Sequence, residues 1–262
     1  MTQPQHLLLD FPAPHVARLS LNRPQAANAL NTAMALEIID FFAKIPARPE
    51  AIRAIIFTGA GKHFCAGADL KERAGLDEAA WMQQHAHFRA ARAAIATCPL
   101  PVLAAVQGSA FGGGLELALA CDFIYAVQHA RFGLSEASLG IMPGMGGVLA
   151  LPAAVGAARA KELLYTAQPF SAQQAQEWGL INRLCAPEGL MAEALATACA
   201  IAANAPLAVA AIKKTIAEAR GLSPEEASAA ELLHYNALLA SADRIEGIAA
   251  WNEKRPPVFA GK

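Results

Sequence analysis

The 262-residue chain is 55% hydrophobic and 16% charged, enough apolar material for a large core and too apolar for a disordered segment. Its 21 basic and 22 acidic residues leave a formal net charge of −1. That excludes a dedicated nucleic-acid binder with a basic face, but not a protein that holds a small anionic ligand on a few local cations and helix N-termini.

The N-terminal MTQPQHLLLDFP has no basic run and only three consecutive leucines, so it does not read as a signal peptide. His15 to Asn22 alternates apolar and polar residues as a half-buried strand, which Pro24 ends. Asn31 or Thr32 caps a helix with an apolar stripe from Met34 to Phe42. Ile52 to Thr58 reads as a buried strand running into the turn GAGKHFCAGADLKE. A short helix is expected from near Ala68, with irregular chain to Leu76. Asp77 starts a long helix through Ala96, which Pro99 and Pro101 stop. Val102 to Val106 is a buried strand, Gly114 to Cys121 a helix, and Phe123 to Val127 and Ala130 to Leu134 two more strands. From about Gly144 the chain turns helical, with segments 159–166, 171–178, 187–203, 206–220 and 223–251, the last broken near Ser241. The fold class is therefore α/β, built from strand–strand–helix units, with a helical C-terminal region.

Leu100 to Val127 is the longest apolar region, but Gln107, four glycines, Glu116 and Asp122 interrupt it, so no membrane span is expected. Five cysteines, at 65, 98, 121, 185 and 199, have neither metal-ligand spacing nor a C-x-x-C pair. Packed, reduced thiols, no metal site and a cytoplasmic setting are the expectation.

Two glycine turns follow buried strands and precede helices: CAGADL around Gly67 and FGGGLEL around Gly112 to Gly114. Glycine at a helix mouth lets backbone approach a ligand and leaves N–H groups unpaired. The N–H groups of Ala68 and Gly113 are thus candidate donors to a carbonyl oxygen that becomes an oxyanion. Glu116 and Glu136 follow, each in a glycine-punctuated apolar setting. Two carboxylates on one water can take a proton from it and deliver another to carbon, without a metal. His85 and His87, two apart on the long helix, fall on different faces and do not share a metal. Asp122 reads as structural.

The segments LNRPQAANALN at 21–31, FCAGADLKE at 64–72, PVLAAVQGSAFGGGLELALACD at 101–122, ARFGLSEASLGIMPGMGG at 130–147 and EKRPP at 253–257 together resemble the crotonase superfamily, the enoyl-CoA hydratase/isomerase family. ADLKER with EKRPP is similar to the methylglutaconyl-CoA hydratase branch in particular. The resemblance implies a spiral of ββα units over 1–200 and a helical oligomerisation region over 201–262. It implies a homotrimer or dimer of trimers, and no cofactor beyond the CoA of an acyl-CoA thioester substrate. It implies an oxyanion hole from Ala68 and Gly113, with Glu116 as base and Glu136 as acid. It further implies CoA contacts from Ala66, Ala68, Asp69, Leu70, Lys71 and Gly113, and from Trp251 and Lys254 toward a neighbouring subunit. The activity implied is reversible syn addition of water to a 2-enoyl-CoA. An isomerase, another lyase or hydrolase on the same fold, and a non-catalytic CoA-binding partner protein are the alternatives. One departure stands out. Where many hydratases read PGAGGTQRL, this chain reads PGMGGVLAL at 143–151, and Val148, Leu149 and Ala150 are expected to suit a bulkier or more hydrophobic acyl group.

Overall fold

The structure, a computed structural model, describes residues 6–45 and 51–262; the N-terminal reading of residues 1–5 lies outside them. Two sheets carry the strands. The larger has six: β1 (Leu7–Ala13), β2 (Val16–Leu21), β3 (Ala54–Gly59), β4 (Val102–Val106), β6 (Phe123–Val127) and β9 (Arg183–Cys185), side by side in that order. Only the β1–β2 pair is antiparallel. The smaller sheet sets β5 (Ser109–Phe111) beside β7 (Arg131–Gly133) and β7 beside β8 (Phe170–Ser171). A long strand, a short strand of the second sheet and then a helix recur: β4, β5 and α4 (Gly113–Ala118) are followed by β6, β7 and the 3-10 turn Glu136–Leu139.

The parallel strands are buried on both faces and accordingly read as continuous apolar runs. Val102 to Val106 are all buried, as are Ala54 to Thr58. Phe57, Phe64, Phe88 and Phe132 are fully buried, each contributing about 1.5–3 kcal/mol of transfer free energy. β1 escapes the sequence reading because it is an edge strand, exposed along most of its length, with no in–out alternation to betray it.

Of the helices, α1 (Thr32–Ala43) is capped by the Asn31 side chain. α2 (Leu70–Arg73) begins later than expected, because Asp69 rather than a residue at 68 accepts from the Lys71 and Glu72 N–H groups. α3 (Glu78–Ala96) starts at the Asp77 cap as expected and packs against α1. α5 (Gly147–Val155), α6 (Ala157–Thr166), α7 (Ala172–Glu177), α8 (Leu190–Ala202), α9 (Pro206–Glu218), α10 (Pro224–Ala237) and α11 (Ala242–Glu253) complete the chain. The break near Ser241 is real: that residue caps α11. α8 packs on β2, β3, β4 and β6. α9 is tied back by Lys213 Nζ, which donates to Leu100 O and Asp122 Oδ2, both at 2.8 Å. Asp122 also accepts from the Val102 N–H at 2.7 Å, the structural role read from its sequence setting.

Candidate active site

The two glycine turns meet. A parallel bridge joins Cys65 to Ala110 and another joins Leu30 to Ala68. Leu30 N donates to Gly67 O at 2.7 Å, and Asp69 N to Leu30 O at 2.9 Å. Phe111 N donates to Cys65 O at 3.0 Å. Asn28, fully buried, steadies the loop by donating to Ala60 O and His63 O. Gly67 has φ +100° and a β-carbon there would lie 2.9 Å from Phe111 O, so only glycine permits the approach. Gly112, at φ +50°, is a second such position.

The outcome is a pair of neighbouring N–H groups. A β-carbon built on Gly113 would lie 3.8 Å from Ala68 N, and among the described residues neither the Ala68 nor the Gly113 N–H donates to a protein acceptor. The pair lines a cavity of about 1020 Å³, whose walls also include residues of α3 and of the segment 141–146 with Val148 and Leu149.

Glu116 and Glu136 both open onto this cavity. Glu116, in the first turn of α4, is only 2% exposed. Its Oε1 accepts from the Met145 and Gly147 N–H groups at 2.8 and 2.7 Å. Burial pushes its carboxyl above the usual range, and those two donors and Arg92 pull it back. Glu136 is the first residue of its 3-10 turn. Its Oε2 is buried with no hydrogen-bond partner among the described residues. Burial pushes it up to about 7, with the nearby Glu116 adding to the rise. The two carboxyls are thus unequal: one is held by donors that favour the anion, the other is left where the proton is retained.

Ala66, Ala68, Leu70 and Gly113 line the cavity; Asp69 and Lys71 do not. Asp69 instead caps α2 and pairs with Arg23 at 2.9 Å, while Lys71 is exposed. Trp251 is 84% exposed on α11 and Lys254 is its left-handed C-cap; neither lines this cavity. His85 lines it with Nε2 3.0 Å from Gly144 O, whereas His87 does not. Val148 and Leu149 line it, and Ala150 does not. The sequence reading missed Arg73, Trp81, Arg89 and Arg92, all in the wall. A signal was present: His85, Arg89 and Arg92 share one face of α3 at helical spacing, beside the stripe of buried Gln84, Phe88, Ala91 and Ile95. The backbone donors to Glu116 leave no mark in residue identity. Among the described residues, no group of three or more His, Cys, Asp or Glu could hold a metal ion, and no single helix is long and apolar enough to cross a membrane.

Paired free N–H groups beside two unequal carboxyls define an enzyme site that can polarise a carbonyl and move protons next to it. Residues 13–262 match the model of the enoyl-CoA hydratase/isomerase family. The chain is 40% identical to enoyl-CoA hydratase domain-containing protein 2, mitochondrial, of Mus musculus, covering 97% of this chain and 87% of that protein. It is 38% identical to the 2,3-dehydroadipyl-CoA hydratase of Escherichia coli, over 94% of this chain and 96% of that one. A solved enoyl-CoA hydratase from Bacillus anthracis superposes with a TM-score of 0.96 at 40% identity, covering 98% of this chain and all of that one (100%). The chain belongs to the enoyl-CoA hydratase/isomerase family and has the crotonase fold.

Proposed function

We propose that the protein is an enoyl-CoA hydratase that adds water reversibly, in syn fashion, across the 2,3-double bond of a 2-enoyl-CoA. The observation that carries the reading is the inequality of Glu116 and Glu136 beside one pair of free N–H groups. Ala68 and Gly113 N–H receive the thioester oxygen as negative charge builds on it. Glu116, its anion favoured by Met145 and Gly147, takes a proton from water as the oxygen bonds to carbon 3. Glu136 delivers its proton to carbon 2. An isomerase needs only one carboxyl to carry a proton between carbons 2 and 4, so two converging carboxyls favour hydration. No cofactor enters these steps, and CoA arrives as part of the substrate.

Ala66, Leu70 and the α2 segment with Asp69 and Lys71 are assigned to the CoA arm. Trp251 and Lys254 are assigned to the CoA of a neighbouring subunit. Residues 201–262 form the oligomerisation region, of a trimer or dimer of trimers, beyond a core of residues 1–200. Exposed Ile212, Ile216, Leu233 and Tyr235 on α9 and α10 support that assignment. A cytoplasmic setting is inferred from five cysteines that form no disulfide.

The test is loss of the enoyl-thioester absorbance with crotonyl-CoA and 3-methylglutaconyl-CoA. Glu116→Gln and Glu136→Gln are each expected to lower kcat by roughly 10²–10⁴. Full turnover in either variant would overturn the assigned roles.

A further inference from the structure

The carboxylate of Glu116 is held by a peptide group that is itself held from behind. Met145 N–H donates to Glu116 Oε1 at 2.8 Å. The carbonyl of that same peptide group is Gly144's, and its oxygen lies 3.0 Å from Nε2 of His85 on α3. A carbonyl oxygen can only accept, so Nε2 carries the hydrogen and donates it. In a trans peptide the C=O and N–H point in opposite directions. One plane therefore turns its oxygen to the helix and its hydrogen to the carboxylate.

Little else fixes this plane. Residues 141–146 form no helix or strand. Among the described residues, the backbone of Met142 to Met145 makes no hydrogen bond besides these two. Gly144 has no β-carbon to restrict rotation of the plane. Turned over, the plane would aim a carbonyl oxygen at the Glu116 anion. The imidazole is also fitted to the spot, since a β-carbon at Gly144 would overlap His85 Nε2. Two turns along the same face of α3, Arg92 packs on Gly146, where a β-carbon would lie 3.1 Å from the guanidinium carbon. We propose that His85 is a positioning residue for Glu116: through the Gly144–Met145 peptide it keeps one of the two backbone donors aimed at the carboxylate. Its donation to the carbonyl also polarises the peptide and strengthens the N–H at the other end. The other charged groups near Glu116 are Arg92 on α3, Arg73 on α2 and Glu136, and none of them bonds to this peptide. The effect on turnover rests on the reading of Glu116 as base; the effect on the carboxyl itself rests on the geometry alone.

His85→Leu removes the donor and keeps the bulk. His85→Gln places an amide N–H at about the reach of Nε2. His85→Asn, whose amide ends where Nδ1 lies and stops short of Gly144, is the polar control should the leucine variant fail to fold. NMR of carboxyl-labelled glutamate, with the Glu116 signal identified by its loss in Glu116→Gln, follows the titration of the free protein. That titration should move to higher pH in His85→Leu and His85→Asn, because a donor to the anion is lost, and return toward wild type in His85→Gln. Hydration of crotonyl-CoA should lose roughly 10-fold in kcat in the first two variants, the scale of a base displaced by less than about 1 Å, and recover in His85→Gln, with KM changed by less than about twofold throughout. Glutamine is neutral, so a glutamine variant that behaves like leucine overturns the proposal in favour of imidazole charge acting through space. An unmoved Glu116 titration in the folded leucine or asparagine variant also overturns it. So does a raised KM at unchanged kcat, which makes His85 a substrate contact. If the titrations move as expected while the wild type hydrates no enoyl-CoA, His85 still positions Glu116 and it is the hydratase reading that fails.

Discussion

Gly147→Ala asks whether the placement of the Glu116 carboxylate limits the rate. A β-carbon at 147 would lie 3.0 Å from both Cγ and Oε1 of Glu116, and 2.9 Å from Leu134 Cδ1. The leucine methyl can rotate aside. Glu116 cannot, because its Oε1 is tied to Met145 N and to Gly147 N itself. Restoring an ordinary carbon contact of about 3.5 Å displaces the carboxylate by roughly 0.5 Å. If a misplacement of about 1 Å costs ~10²-fold, half of that costs about 10-fold in kcat. Position 147 opens α5 and is not among the positive-φ glycines, so alanine suits the backbone. Up to ~1 kcal/mol of helix propensity offsets the new strain, and Tm should stay within about 3 °C. Steady-state hydration with a parallel thermal melt reads both quantities. Wild-type kcat would refute the idea that these two backbone donors position the base. A collapse in Tm would show that the fold, not the carboxylate, absorbs the contact.

Three further predictions concern Glu136 and Asp69. Burial pushes the folded Glu136 carboxyl up to about 7 from its ordinary value of 4.5, so between these values the folded state holds a proton that the unfolded state has released. Stability therefore falls as pH rises through that window. Glu136→Gln should melt above the wild type at about pH 8 and lose that advantage below about pH 4.5, so a pH-independent difference would contradict the assignment. With Glu136 in its proposed role as acid, hydration uses the protonated form and wild-type kcat/KM should decline as pH rises through about 7. Asp69→Ala removes the α2 cap and the Arg23 pair. It should cost about 1–2 kcal/mol in denaturant unfolding and raise the KM for acyl-CoA; an unchanged KM would detach α2 from the CoA arm.

The sequence made the glycine turns legible because each needs backbone that only glycine allows, and Gly67 and Gly112 adopt it. It made the buried strands β3, β4 and β6 legible because burial imposes continuous apolar runs, and the starts of α3 and α11 because their caps leave Asp77 and Ser241 behind. β5, β8 and β9 are two or three residues long, too short for periodicity to mark. Glu116 and Glu136 stood out as carboxylates in apolar surroundings, but their difference in character did not. It is made by the Met145 and Gly147 N–H groups, which any residue but proline could supply. Arg73 fell in a stretch set aside as irregular. Its place in the cavity wall depends on Trp81, Gln84 and Phe88, which reach it only through the packing of α3.

The donors that hold Glu116 are Met145, which lines the cavity with Pro143, Gly144 and Gly146, and Gly147, next in the same segment. Acyl fit and basicity are therefore set by one lever. A chain that wedges this segment outward lengthens both hydrogen bonds and raises the proton affinity of Glu116. A chain that leaves it seated keeps the base poised. With Glu116 in its proposed role as base, a badly shaped substrate is expected to bind but turn over slowly, so that discrimination falls at the chemical step even where binding does not discriminate.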